Sequence, residues 1–299
     1  MNRLNYEKVF KTLVEETGNY LVNHSLRAMV LGVSGGIDST VVAAICHEVS
    51  KKTGIPLIGR SLPIKNKSDE FATSVHVGEA FCNEFSVYRL ERSYRAALFD
   101  ACADAGDVNM ANSYYLDELE EMPSRTPIAN GNLQARCRMM YLYDIASRHK
   151  GLVMSTDNQT EYQLGFWTIH GDVGDFDPIQ DLWKTEVYQL AEWLKLFYYT
   201  DGDDADKAVA IGESIKLTPT DGLGISNSDL DQIGAKSYND VDRVLQTLVC
   251  PASPENDRVQ DALTVEIGPE IIDKIIKRRS NSRFKREKSP IYISRERYE

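Results

Sequence analysis

The run Met29-Val30-Leu31-Gly32-Val33-Ser34-Gly35-Gly36-Ile37-Asp38-Ser39-Thr40 decides the fold. Its first five residues form a short apolar stretch, the pattern of a strand buried on both faces. Ser34, Gly35 and Gly36 then turn the chain, and Val41 to Val49 continues as a helix. Such a strand, turn and helix aim backbone N–H groups and a helix N-terminus at one point, which suits a phosphate-bearing anion. A Walker A loop would supply a Lys, and none is present. Asp38 stands where positive charge would be wanted. A carboxylate beside bound phosphates makes sense if a divalent cation lies between them, so the loop reads as a pyrophosphate cradle with its own metal ligand.

Outward from this loop, strand candidates at Ala28–Val33, Ile55–Leu62, Phe85–Leu90 and Leu152–Ser155 alternate with helical patterns at 39–53, 68–84, 92–105 and 132–149. A first helix is predicted from Tyr6 to Asn23. This repetition predicts an α/β fold, doubly wound, with a mostly parallel sheet flanked by helices. Ligands bind beyond the carboxyl ends of such strands, where both the Ser34 loop and Thr156-Asp157 fall. The stretch Ala105 to Gly131 reads as a long loop with a short helix, and Asp201 to Asp206 as a solvated acidic loop that fails the EF-hand pattern.

At 299 residues the chain has room for one large domain or two smaller ones. Its net charge of -11 argues against nucleic acid as a partner, so basic clusters within it are informative. The scattered cysteines at 46, 82, 102, 137 and 250 indicate neither a zinc ribbon nor a disulfide framework. With no signal peptide and no apolar run of membrane-spanning length, the expected location is cytoplasmic, with no membrane partner.

Several residues invite chemistry. Asn158-x-x-Glu161 is a capping box, and Glu161 is equally placed to be a second oxygen ligand for a cation held by Asp38. Lys184 opens a helix whose macrodipole opposes its charge, so an anion is expected nearby. Arg136 and Arg138 stand on helix 132–149, which is apolar on two sides and is predicted to be sandwiched either within a large monomer or against a second subunit. Between Lys274 and Lys288 the chain reverses its overall charge, which a helix C-terminus explains in part and substrate phosphates or a solvated tail would explain in the remainder.

Taken together these segments resemble the NAD synthetases of the N-type ATP pyrophosphatase (PP-loop) superfamily. The likeness rests on Ser34-Gly-Gly-Ile-Asp-Ser-Thr40, Gly131-Asn-Leu-Gln-Ala-Arg136-Cys-Arg138-Met, and Ser155-Thr-Asp-Asn-x-x-Glu161 followed by Gly165-Phe-Trp-Thr-Ile-His-Gly-Asp172. Asp175-Phe-Asp-Pro-Ile-Gln-Asp-Leu-Trp-Lys184-Thr, Pro219-Thr220-Asp-Gly-Leu and Phe284-Lys285-Arg286 extend it over most of the chain, as one domain spanning 1–299. The resemblance implies an adenine nucleotide alpha-hydrolase-like, Rossmann-like fold.

It also implies ATP-dependent amidation of deamido-NAD with ammonia, through an adenylate, releasing AMP and pyrophosphate. Asp38 and Glu161 would hold Mg2+, and Lys184 would join them as a catalytic group. Ser34, Gly35, Gly36, Asp38, Ser39, Thr40, Thr156, Lys184 and Thr220 would contact ATP. Arg136, Asp175, Phe284 and Lys285 would contact the dinucleotide, and the enzyme would be a homodimer. Two positions depart from the family: its Lys-Tyr pair is Ile169-His170 here, and its His-Lys pair is Phe284-Lys285. With about thirty residues before the PP-loop, no glutamine amidohydrolase domain is expected, which makes free ammonia the expected donor. A PP-loop enzyme with another acceptor, or a catalytically impaired nucleotide-binding homologue, are the alternatives.

Overall fold

The computed structural model describes residues 4–200, 204–218, 229–249 and 263–287. Thr220, Cys250 and Lys288 lie outside them, as do 201–203 of the acidic loop. Four parallel strands form one sheet in the order β3-β2-β1-β4, with β1 at Met29–Gly32, β2 at Leu57–Ser61, β3 at Glu84–Val87 and β4 at Leu152–Val153. Met29 and Val30 of β1 pair on one side with Leu57 and Ile58 and on the other with Leu152 and Val153.

Alternation along the central strand sorts two cores. Met29, Leu31 and Val33 face a layer built from α1 (Tyr6–Asn23), α2 (Ile37–Thr53), α3 (Ser68–Phe81), α8 (Lys184–Thr200) and α9 (Ala205–Lys216). Ala28 and Val30 face α4 (Glu91–Asp104), Leu119 of α5 (Leu116–Glu120) and α6 (Pro127–His149). Successive side chains on a strand point to opposite faces, so the run from Ala28 to Val33 must be apolar throughout. A third apolar cluster joins Leu164 of α7 (Gln159–Leu164) to α10 (Asp229–Ile233), α11 (Tyr238–Val249) and α12 (Pro269–Asn281).

The chain runs outward from β1 through β2 to β3, then returns to lay β4 on the other side of β1. The crevice at this reversal, beyond the strands' carboxyl ends, receives both loops singled out above. Gly35 makes the first loop possible. Its φ is 85°, and a Cβ there would lie 2.7 Å from Ser74 N and 2.8 Å from Glu70 O of α3. A side chain is excluded by backbone conformation and by space.

Some boundaries differ from expectation. Helix α6 begins at Pro127, five residues before the predicted start at 132, because Thr126 caps it by accepting the Ala129 N–H and Pro127 occupies its first turn. Helix α3 stops at Phe81, and Asn83 beyond it accepts the Leu57 N–H and the Ser50 hydroxyl. Strand β3 ends at Val87, and Leu90 opens α4 instead.

Candidate active site

A cavity of about 510 Å³ lies at the crevice. Ser34, Gly36, Asp38 and Ser39 line one wall, Thr156, Glu161 and Lys184 another, and Trp167, Arg278 and Lys285 a third. Helix α2 points its N-terminus into this space, with Gly36 as its cap and no side chain capping it. The Ser39 hydroxyl donates to Gly36 O and lies 3.0 Å from the Ser34 hydroxyl, which accepts the Gly36 N–H. The turn is thereby held in shape from within, leaving a helix N-terminus open to an anion.

At the centre stand an ammonium and two carboxylates. Lys184 Nζ donates to Asp38 Oδ2 at 2.5 Å and to Glu161 Oε1 at 3.1 Å, with Lys184 only 2 % exposed. Burial works against its charge, but Asp38 and then Glu161 outweigh burial and hold the ammonium well above its ordinary range. These are the anions expected beside a Lys at a helix N-terminus. Asn158 ties the set together: its side-chain amide donates to Asp38 Oδ1 at 2.8 Å, and its backbone N–H donates to Glu161 Oε2. Glu161 closes the capping box with one oxygen and meets Lys184 with the other.

Asp157 and Asp172 line the same cavity, and with Asp177 they form a group of buried acids to which the sequence assigned no role. Asp157 is pushed well above the carboxylate range by burial and by Asp172, Glu161 and Asp177. Burial raises Asp172 to about 6 and Asp177 to about 7. The available signal was the recurrence of Asp at 157, 172 and 177 in segments that start at a strand's carboxyl end. Arg138 also lines the cavity; it donates to Leu62 O and Asn66 Oδ1.

The remaining expected site residues are placed less centrally. Gly35 and Thr40 support the loop from behind, with the Thr40 hydroxyl donating to Gly36 O. Arg136 is exposed and donates to Ile169 O. Asp175 accepts the Val153 N–H and the Tyr143 hydroxyl, which fastens its loop to the edge of β4. Phe284 is 53 % exposed. Lys285 reaches the cavity wall, donating to Gly165 O and Trp167 O, and burial lowers its pKa. Arg278 stacks on Phe166 at 3.7 Å, while Arg286 donates to Gln163 O near the end of α7. Part of the basic cluster thus serves a helix C-terminus and part faces the cavity.

Among the described residues no group of three or more His, Cys, Asp or Glu side chains is arranged to hold a metal. Asp38 and Glu161 are hard oxygen donors of the kind magnesium takes together with phosphate and water oxygens, and in this structure their oxygens are engaged by Lys184 and Asn158.

Residues 9–289 match the NAD synthase family. The chain belongs to this family. It is 30% identical over 300 residues to an NH(3)-dependent NAD(+) synthetase of Wolinella succinogenes, covering 97% of each chain. Among solved structures, the NMN synthetase of Francisella tularensis superposes with a TM-score of 0.72 at 23% identity, covering 98% of this chain and all of the other. The NH3-dependent NAD synthetase of Campylobacter jejuni gives 0.64 at 22%. The two superpositions speak to the fold. The match to the family embraces all three walls of the cavity, from the PP-loop to Lys285.

Proposed function

We propose that this chain, as a single domain over 1–299, converts deamido-NAD to NAD with ATP and ammonia. The observation that carries the reading is the Asp38–Lys184–Glu161 cluster at the open N-terminus of α2, inside a cavity that reaches Lys285. Adenylation needs three things from such a site. It must hold a polyphosphate, neutralise the charge that builds on pyrophosphate as it leaves, and keep an acyl-adenylate from water.

The PP-loop turn and the α2 N-terminus would bind the β- and γ-phosphates, since both favour anions without needing a basic side chain. Asp38 and Glu161 would hold magnesium, which supplies charge neutralisation to the leaving pyrophosphate. Lys184, kept protonated by its two partners, is a fixed positive charge next to the same phosphates. The substrate carboxylate oxygen bonds to the α-phosphorus while the α–β phosphoanhydride bond breaks. Ammonia then forms the C–N bond, AMP leaves with the acyl oxygen, and a proton passes from nitrogen to a nearby base. Trp167 and Lys285 line the wall where the acceptor would enter.

One feature favours a second reading of the acceptor. Ile169 and the exposed Phe284 stand where the family resemblance places dinucleotide contacts, so a nicotinate mononucleotide is the competing substrate. We further propose a homodimer, because Ile128, Met140 and Tyr143 of α6 are 60%, 59% and 39% exposed. Cys46, Cys82, Cys102 and Cys137 are free thiols, and no described helix is long and apolar enough to cross a membrane, which supports work in the cytoplasm.

The deciding assay supplies ATP, magnesium and ammonium with deamido-NAD or nicotinate mononucleotide, and follows amide product, AMP and pyrophosphate. NAD formed with equal amounts of AMP and pyrophosphate is expected. Cleavage of ATP to ADP and phosphate would overturn the mechanism, and amidation of the mononucleotide alone would overturn the substrate.

A further inference from the structure

Asp242 lies one layer behind the cavity, on α11, and is not among the residues that line it. It is 2 % exposed, and burial raises its carboxyl above the usual range. A carboxylate in such a place costs stability unless its oxygens are satisfied. Its Oδ1 accepts from the Thr160 hydroxyl at 2.5 Å. Its Oδ2 accepts from the Thr185 N–H at 2.9 Å and from the Thr185 hydroxyl at 2.7 Å. The Thr160 hydroxyl in turn accepts the Lys184 N–H at 2.9 Å.

The position of these partners in the chain is what matters. Thr160 immediately precedes Glu161, and Thr185 immediately follows Lys184. One buried carboxylate therefore grips the neighbours of both the anion and the cation of the central cluster. Capping the first turn of α8 would need only one acceptor oxygen, which a Ser or Asn supplies. Asp242 places its other oxygen on α7, a different element, and so sets the distance between the two. Helix α11 adds a second hold one turn earlier, where the Tyr238 ring centre lies 5.6 Å from Lys184 Nζ.

We propose that Asp242 is a positioning residue for the amidation, which by gripping Thr160 and Thr185 keeps Lys184 Nζ between Asp38 and Glu161. The inference rests on the function proposed above for the role of Lys184. It also explains what the helical layer of α10, α11 and α12 contributes. This layer carries Arg278 on the acceptor wall and, through Asp242, steadies the phosphate side.

Asp242→Asn keeps the volume and one acceptor while removing the charge and the second acceptor. It is expected to lower kcat by about 10- to 100-fold, the range seen for residues that orient a ligating group. KM for deamido-NAD should stay within about threefold, since Trp167 and Lys285 on the acceptor wall make no contact with Asp242. In a Lys184→Met background the same substitution should change the residual kcat by less than about twofold, because its effect passes through Lys184. Amide hydrogen exchange at Lys184 and Thr185 should rise about tenfold or more, with α2 unchanged. Where Asp242→Asn does not fold, Thr185→Val removes one of the three bonds and should act in the same direction with the same dependence on Lys184. Wild-type kcat, or equal losses in both backgrounds, would overturn the proposal. Should the unsubstituted protein make no NAD, the functional reading fails separately, and unchanged exchange at Lys184 and Thr185 still overturns the clamp.

Discussion

Glu161 is asked to do two things, and its two oxygens let it do both. One closes the capping box of α7 on the Asn158 N–H, and the other meets Lys184. The sequence motif alone could not separate these roles, because a capping box accepts an acid at this place and a metal-ligand pattern requires one. A substitution can separate them. Gln is as good as Glu at the third position of a capping box, so Glu161→Gln should shift Tm by no more than about 3 °C. It removes an anion from the charge-stabilising cluster, so kcat should fall by about 100-fold or more. Thermal melts beside steady-state rates decide the matter. A large loss of Tm with nearly full activity would make Glu161 a structural residue. Asp242 is the contrasting case: its partners lie 57 and 82 residues away in the chain, and no local pattern announces such a contact.

At the scale of elements, the parts legible in advance were those whose cause is local. Helix α1 spans Tyr6–Asn23 as its periodicity predicts, and the strand, turn and helix at β1 and α2 follow from a short apolar run and a glycine pair. Less legible was the segment between β4 and α8, which holds its shape through side chains rather than through regular structure. Met154 makes a single bridge to Phe176, Asp175 accepts the Val153 N–H, and Asp172 accepts the Thr168 N–H. Within this segment Asp177 is buried and accepts the Ile179 N–H through Oδ1, and the Ser155 hydroxyl and the Asp157 N–H also favour its charged form. Burial lifts its carboxyl from 3.8 to about 7. A folded-state value above the unfolded one means that stability is fully present below about pH 4 and is lost as pH rises toward 7. Asp177→Asn cannot ionise, so it escapes this loss. The ligand-free variant should melt at or above wild type at pH 8, by a few degrees, and show no such gain at pH 4. An equal change at both pH values would show that charge is not the cause.

For the whole molecule, the question is what covers the outer side of α6. Its inner side packs on the sheet through Met139, Leu142 and Ala146, as its sequence pattern predicts, and Ala135 on the same side is buried at the cavity. Of its other apolar side, Leu133, Cys137 and Tyr141 pack into the same core, within the chain, and Met140 stays exposed. Met140 and Tyr143 are exposed, and at helical spacing they share one stripe with Arg136, while the exposed Ile128 lies at the cavity. Exposed apolar side chains gathered on one element mark an interaction surface more than scattered ones do. If two copies meet across this stripe, a two-fold axis would set each α6 against its mate, and Arg136 would lie beside the partner's cavity mouth. A charge placed there opposes itself across the axis. Met140→Glu should therefore shift the protein from dimer to monomer in sedimentation velocity at micromolar concentration, with little loss of Tm per chain because the position is solvent-exposed in the monomer. If Arg136 serves the dinucleotide at that interface, the monomer should bind ATP normally but show KM for deamido-NAD raised about tenfold or more. A variant that stays dimeric, or a monomer with unchanged KM, would remove α6 from the acceptor site and leave the cavity of a single chain to hold both substrates.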